Sequence, residues 1–262
     1  MQSKIKLSIV TIVYNGGACI GKTIDSIVNQ TYDNYEYIII DGNSKDNTLE
    51  LCYEYKNKIT KIVSEPDKGL YDAMNKGIEQ ATGDYIIFIN CDDTLYDELV
   101  LEKVASEINK NHMPDFVYGD AIEVSEDGAQ EFLKKSRNHK MIWYGMFAHH
   151  QAMFYKMNVI KLNNIKYDLQ YKIAADYALT ANFFKYCDSY LYLDFVFCGF
   201  KQGGISMKYA NNISSELFSI KKHIIGLNRL QIGLILILQK GLLYFRNNFN
   251  TIYNFIRFKN IK

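Results

Sequence analysis

The chain has 262 residues, 48% of them apolar and 23% charged, which suffices for one main hydrophobic core with an appendage and excludes two full-sized domains. Its formal net charge of +1 hides an asymmetry: eight of the 30 Lys and Arg but none of the 29 Asp and Glu lie from Leu217 onward, leaving 22 basic against 29 acidic residues before it. A basic tail interleaved with aliphatic residues, attached to an acidic body, argues against a nucleic-acid binder and for a membrane surface as the tail's partner.

In chain order, residues 1–6 are polar and the apolar run 7–13 is only strand-length, so no signal peptide is expected. Runs 7–13, 35–40, 59–63 and 85–89 read as buried strands, each ending at Asn, Asp, Gly or Ser. Segments 21–30, 46–56 and 70–81 between them have helical spacing, with Leu70, Met74, Ile78 and Ala81 on one face. Strand and helix in repeated alternation predict an α/β fold whose mostly parallel central sheet carries helices on both faces. Further on, 116–118 and 122–124 read as strands, 134–150 as a loop-rich excursion and 175–186 as a helix. The five cysteines, Cys19, Cys52, Cys91, Cys187 and Cys198, are odd in number and lack Cys-x-x-Cys spacing, which fits neither a zinc ribbon nor a disulfide framework. A cytoplasmic site is expected.

In parallel sheets ligands bind beyond the carboxyl ends of the strands. Those ends deliver Tyr14 and Asn15, then Asp41 to Ser44, then Glu65, Pro66 and Asp67, then Asn90, Asp92 and Asp93. No strand is followed by Gly-x-Gly-x-x-Gly or by a P-loop, so dinucleotide and ATPase folds lose their main support. Two adjacent carboxylates at a strand tip suit a divalent cation that bridges two phosphates, because such an ion takes one or two carboxylates and fills its remaining positions with phosphate and water. Asp93 is the expected metal ligand and Asp92 a ribose or metal partner; capping of the next helix by Asp93-Thr94 is the competing account. In the dense segment from Glu65 to Gly77, Pro66 stiffens the turn, Gly69 allows close backbone approach, and Asp67 with Lys68 offers both signs of charge to a polar donor.

These stretches together resemble a family 2 glycosyltransferase of the GT-A nucleotide-diphospho-sugar transferase fold, of the bacterial surface-polysaccharide type. The resemblance runs through Ser8 to Asn15, Asp41 to Thr48, Glu65 to Gly77, Asn90 to Asp93, His150 to Phe154 and Ala174 to Tyr177, in the family's order, over residues 5 to about 205. It implies that Thr11, Tyr14, Asn15 and Asp41 hold the nucleoside, with Asp41 accepting from the base. It also implies that Asp67 and Lys68 lie along the donor, that Asp92 and Asp93 serve ribose and metal (Mn2+ or Mg2+), and that Asp176 is the general base. UDP is the expected donor nucleotide. The first position of the family's Asp-x-Asp is here Asn90 or Cys91, so ligation rests largely on Asp93. The Gln-x-x-Arg-Trp of processive synthases is missing, which points to single-sugar transfer.

Inversion at the anomeric carbon needs an acceptor hydroxyl deprotonated opposite the leaving diphosphate, and a carboxylate crowded by other acids suits that task. Asp176 at a helix start is also an ordinary cap. His149 and His150, read as neighbours in a strand, would point to opposite faces and so not share a zinc ion; His150 and Gln151 are expected to line the acceptor pocket, with a satisfied half-buried histidine as the alternative. Lys201, Gly203 to Ser206 and Lys208 read equally as a loop closing over the diphosphate or as plain surface.

The expected organisation is a catalytic domain over 1–215, its nucleotide-sugar half at 1–95 and acceptor half at 96–215, followed by a basic amphipathic helical tail at 216–262. The tail's longest apolar run, 232–238, cannot span a bilayer. Adsorption to anionic lipid is expected, with packing on the core or on a second copy of the chain as the alternative. The resulting expectation is a peripheral enzyme on the inner face of the cell membrane, forming a β linkage to a lipid-linked or growing surface glycan such as lipopolysaccharide or capsule. A sugar nucleotidyltransferase and a nucleotide-sugar-binding protein without transferase activity are the alternatives; the first lacks a basic glycine-rich loop after strand one.

Overall fold

The computed structural model describes residues 4–125, 128–201 and 213–248. Its first half runs β1 (Leu7–Val13), α1 (Ile20–Val28), β2 (Tyr35–Asp41), α2 (Thr48–Glu54), β3 (Lys61–Ser64), α3 (Leu70–Gln80) and β4 (Tyr85–Phe88). All seven β1 residues are buried, as befits a central parallel strand covered on both faces. Alternation divides them: Val10 and Ile12 join the layer of Ala73, Met74 and Ile78 from α3, whereas Leu7, Ile9 and Val13 join Ile20, Ile24 and Ile27 from α1. β1 pairs in parallel with β2 and β4, and β2 with β3. All four carboxyl ends therefore open on one edge, with adjacent tips about 5 Å apart.

The second half comprises β5 (Thr94–Leu95), α4 (Val100–Lys110), β6 (Phe116–Val124), β7 (Glu131–Lys134), β8 (Met153–Lys156), α5 (Met157–Leu162), α6 (Ala175–Phe183) and β9 (Tyr190–Lys201), then α7 (Ile213–His223) and α8 (Arg229–Asn248). The sheet order is β3-β2-β1-β4-β8-β6-β9-β5, with β7 on β6. β8 joins β4 and β6 antiparallel, and β9 returns parallel to β6. Thus β6 points the same way as β1 and brings its own tip to the same edge.

The expected strands 116–118 and 122–124 are one strand. Gly119 and Asp120 do not break it, because β9 absorbs the irregularity by register shifts on either side of Asp120. The Phe197 ring lies against Gly119 where a side chain would stand. β5, β8 and β9 escaped the sequence reading, since their pairings are distant in the chain and their runs carry no separate helix-strand rhythm. Within the 134–150 excursion, His139–Trp143 forms a 3-10 turn.

The expected boundary at 215/216 falls inside α7. Ile220 is fully buried in the same layer as α6, with Leu217, Ile224 and Ile225 packed against that layer. In α8, Ile232 and Ile235 are buried whereas Leu230, Leu234, Ile237 and Leu238 are largely exposed. Gln239 Nε2 donates to the Tyr144 carbonyl at 3.0 Å, tying α8 to the 134–150 segment. Among the described residues no helix is long and apolar enough to cross a membrane; residues 249–262 of the expected tail lie outside the description.

Candidate active site

At the β1, β2 and β3 tips the chain turns locally on its own polar groups. The Asn15 N–H donates to Ser44 Oγ at 2.8 Å and its Oδ1 accepts from the Lys45 N–H at 2.8 Å, which zips the two turns together. Asn15 and Asn43 take positive φ, 51° and 65°, a region Asn tolerates better than most side chains. Gly42 is wedged between Asp67 and the Tyr14 ring, where a Cβ would overlap the Asp67 carboxylate. One residue from each of three strand tips thus meets at a point. Tyr14 is 64% exposed there, an open aromatic face available to a base, and Lys68 is exposed beside Asp67.

Two expected nucleoside contacts sit deeper. Thr11 is fully buried; its hydroxyl donates to the Ile89 carbonyl at 2.7 Å and accepts from the Tyr37 hydroxyl at 3.1 Å. The Thr11 side chain thus ties β1 to the end of β4. Asp41 is also fully buried, and its carboxylate accepts from Ser44 Oγ, the Ser44 N–H at 3.1 Å and Ser64 Oγ at 2.6 Å.

At the β4 tip, Asp92 is held at φ 81°, a conformation costly for a non-glycine residue and found mostly where function demands it. Its carboxylate lies 3.7 Å from Lys201 Nζ at the end of β9. Asp93 accepts a hydrogen bond from Gln151 Nε2. Burial pushes the Asp93 carboxyl up to about 7; the Gln151 bond opposes the rise and the Asp92 charge adds to it. Gln151, expected on the acceptor side, is in fact nearly buried against Asp93. Asn90 Nδ2 is 3.4 Å from His150 Nε2. Asn90 Oδ1, Gln151 Oε1 and His149 Nδ1 are buried without a partner, a concentration of unsatisfied polar atoms that a folded chain tolerates where a polar ligand docks.

His149 and His150 do not occupy a strand. His149 is the extended residue leading into the 3-10 turn His150–Ala152, and the two rings are neighbours, 5.0 Å apart, with His149 stacked on Phe200. The expectation of opposite faces is corrected on that ground. Burial lowers the pKa of both, so both rings are held toward the neutral form.

Asp176 lies in the first turn of α6, its Oδ1 accepting from the Tyr177 N–H at 2.8 Å. Burial raises its pKa and the nearby His150 opposes the rise. Burial raises the pKa of Tyr71, Tyr155 and Tyr167, and the Asp176 charge adds to each rise. Two polar contacts, Gln151 with Asp93 and Asn90 with His150, thus lie side by side through the neighbouring residues 150 and 151, and the His150 charge acts on Asp176. The sequence places Asn90 among the polar groups at the strand ends but carries no sign of its contact with His150. Lys201 is the last residue of β9; Gly203 to Ser206 and Lys208 lie outside the described residues.

The donor set fits a divalent cation of the Mg2+ or Mn2+ kind. Asp92 and Asp93 are adjacent hard oxygen donors, and with the Asp93 carboxyl raised to about 7 a cation would compete with a proton there near neutral pH. Among the described residues no group of three or more His, Cys, Asp or Glu could hold a metal, which leaves the remaining positions of such an ion to phosphate and water.

Comparison with known proteins accords with this architecture. At 32% identity over 183 residues, 65% of this chain resembles 66% of a PGL/p-HBAD biosynthesis glycosyltransferase of Mycobacterium bovis (strain BCG / Pasteur 1173P2), so the chain spans just under two thirds of that relative. A poly(ribitol-phosphate) beta-glucosyltransferase of Bacillus spizizenii matches at 28% identity, over 68% of this chain and 29% of its own length. Among solved structures, S. aureus TarS 1-349 in complex with UDP-GlcNAc superposes with a TM-score of 0.71 at 21% identity, covering 88% of this chain and 70% of that one. A mannosyltransferase, PcManGT from Pyrobaculum calidifontis in complex with GDP-Man and Mn2+, gives 0.56 at 15% identity, over 76% and 57%. At such identities the structural likeness speaks for the fold, an α/β GT-A fold. The family description "Glycosyl transferase family 2" matches residues 8–171, and the chain belongs to that family.

Proposed function

We propose that the protein is an inverting glycosyltransferase that moves one sugar from a nucleoside-diphosphate donor, UDP in the first instance, to a hydroxyl of a lipid-linked or growing surface glycan, forming a β linkage. The observation that carries this reading is the set of polar side chains at the carboxyl ends of the parallel strands, with Tyr14, Gly42 and Asp67 meeting at one point and Asp93 held by Gln151 next to the Asn90–His150 contact. The relatives act in PGL/p-HBAD biosynthesis and on poly(ribitol-phosphate) by their names, which supports a surface glycan as acceptor.

In this reading Tyr14 and Asn15 form the exposed nucleoside platform over Asp41, with Thr11 supporting it from below. Asp67 and Lys68 lie along the donor. Asp93, with Asp92, would hold a divalent cation, which supplies charge neutralisation for the diphosphate leaving group. Gln151 fixes the Asp93 carboxylate through its amide. Asp176 takes the proton from the acceptor hydroxyl: in its buried setting the raised pKa makes the ionised form a better base than a solvated aspartate. His150, held neutral beside it, can hydrogen-bond the acceptor without competing for that proton.

The tail supports a membrane-surface role. Leu230, Leu234, Ile237 and Leu238 are exposed on α8, and no acidic residue follows Glu216. An aliphatic face next to basic side chains adsorbs to anionic lipid at the headgroup boundary; a second copy of the chain is the competing occupant.

Calorimetry against UDP, GDP, CDP and dTDP with and without manganese tests the donor, and product analysis with the anomeric configuration read by NMR tests the transfer. Wild-type protein is expected to bind UDP more tightly with the metal, and Asp93→Ala to lose that increment. Transfer surviving in Asp93→Ala at full rate, or binding without turnover on any acceptor glycan, defeats the reading. Flotation with vesicles containing anionic lipid tests the tail.

A further inference from the structure

The last acidic residue of the chain, Glu216, lies in the first turn of α7, yet its carboxylate serves the backbone of another segment. Oε1 accepts from the Lys172 N–H at 2.8 Å, and Oε2 accepts from the N–H groups of Ile173 and Ala174 at 3.0 and 2.9 Å. Ala174 is the residue that precedes α6 and has no side chain with which to cap it. A helix start leaves N–H donors unsatisfied, and an anion there also suits the helix dipole. Here the carboxylate arrives from a different helix, more than forty residues along the chain.

The same stretch is held from its other side by α3. The Tyr71 hydroxyl donates to the Ile173 carbonyl at 2.7 Å, and Asn75 brackets Tyr167, donating to its carbonyl at 2.9 Å and accepting from its N–H at 2.8 Å. The Tyr171 hydroxyl lies 3.2 Å from Ser219 Oγ of α7. The backbone that leads into Asp176 is thus clamped between α3, which follows the donor loop, and α7.

We propose that Glu216 is a positioning residue for Asp176: by fixing the backbone of 172–174 it sets how the Asp176 carboxylate enters the crevice, which makes α7 a working part of the catalytic half. The inference rests on reading Asp176 as the general base. The titratable groups facing Asp176 are His150, Tyr71, Tyr155, Tyr167 and Glu216. Burial is the largest influence raising the Asp176 pKa, His150 opposes it, and the Glu216 charge adds to the rise.

The test uses the full chain as wild type, Glu216→Gln, Glu216→Ala and Asp176→Asn, with donor KM, kcat and the pH profile of kcat measured for each. Glu216→Ala is expected to lower kcat by about tenfold to a hundredfold, the cost of a misplaced catalytic group, while donor KM and nucleotide affinity change by less than about twofold. Glu216→Gln keeps one acceptor oxygen and loses the charge. It is expected to recover part of kcat and to move the acid limb of the profile to lower pH, because the charge that raised Asp176 is gone. If Glu216→Ala proves unfolded by its melting curve, the acid limb of Glu216→Gln decides. Wild-type kcat with an unmoved acid limb in Glu216→Gln, alongside an inactive Asp176→Asn, overturns the positioning role. Full activity in Asp176→Asn instead overturns the base assignment beneath it.

Discussion

The two halves of the site are held by different means. On the donor side, polar groups are positioned within a tip or between adjacent tips: the Asp41 carboxylate accepts from Ser44 and Ser64, Asn15 is bonded to Ser44 and Lys45, and the Asp67 carboxylate accepts from the Gly69 N–H at 2.8 Å. On the base side, nearly every positioning bond is long-range. Gln151 reaches Asp93, Asn90 meets His150, Tyr71 holds Ile173, and Glu216 holds Ala174. A turn that satisfies itself keeps its geometry wherever its strand goes, whereas a side chain held across the fold is only as well placed as the core beneath it. The base side should therefore answer to core damage and the donor side to local substitutions.

The largest expected effect comes from the aromatic hub under α6. Phe116 packs against Tyr118, Phe147, Tyr155, Phe183 and Phe184 with ring centroids 5.1 to 6.0 Å apart. Phe116→Ala is expected to cost about 3–5 kcal/mol, read as a fall in the urea midpoint. In the surviving folded fraction kcat should fall more than donor affinity; an equal fall in both erases the distinction between the halves.

Next comes a clamp on the far side of the donor half. Glu36 in β2 is nearly buried and accepts from Lys6 Nζ at 2.7 Å, Ser8 Oγ at 2.6 Å and the Gly83 N–H at 3.0 Å. Burial alone would raise its pKa, but the bonds from Lys6, Ser8 and Thr82 outweigh it and hold the carboxyl at about 2, below its ordinary 4.5. A folded-state pKa below the unfolded one stabilises above the unfolded value and loses that contribution as pH falls through the folded one. About 3 kcal/mol should thus be present at pH 7 and disappear between roughly pH 4.5 and 2. The stability gap between wild type and Glu36→Gln, followed by denaturant titration across that range, should narrow with falling pH; a constant gap contradicts the linkage.

Smaller effects are expected at the donor tips. In Gly42→Ala the new methyl must displace Asp67 or Tyr14, and nucleotide affinity should fall by about tenfold, or 1.4 kcal/mol, in calorimetry. Tyr14→Ala removes an exposed ring and should leave stability within about 0.5 kcal/mol while weakening nucleotide binding. Wild-type affinity in both variants would remove the nucleoside from this platform.

What was legible in the sequence follows the same division. β1, β2 and β4 and their polar tips stood out because parallel strands buried on both faces read as continuous apolar runs, and because Asn, Asp and Gly mark where each run stops; β3, expected as buried, is a part-exposed edge strand. Thr11 shows the limit: three residues before Tyr14 in an apolar run, its hydroxyl finds the Ile89 carbonyl and the Tyr37 hydroxyl, partners far off in the chain. β9 was missed because its partners, β6 and β5, lie far off in the chain. Gln151 was noticed, but its contact with Asp93 was not, since 58 residues separate them.

The amino-acid order by itself determined the alternating α/β layout, the crowd of acids at the strand ends and the basic, aliphatic character of the tail, all properties of local spacing and composition. Only the tertiary structure decided that Gln151 meets Asp93, that His150 meets Asn90, and that Glu216 holds the backbone leading into Asp176. Those contacts depend on how separate layers pack, and packing joins residues whose distance along the chain carries no signal of their meeting.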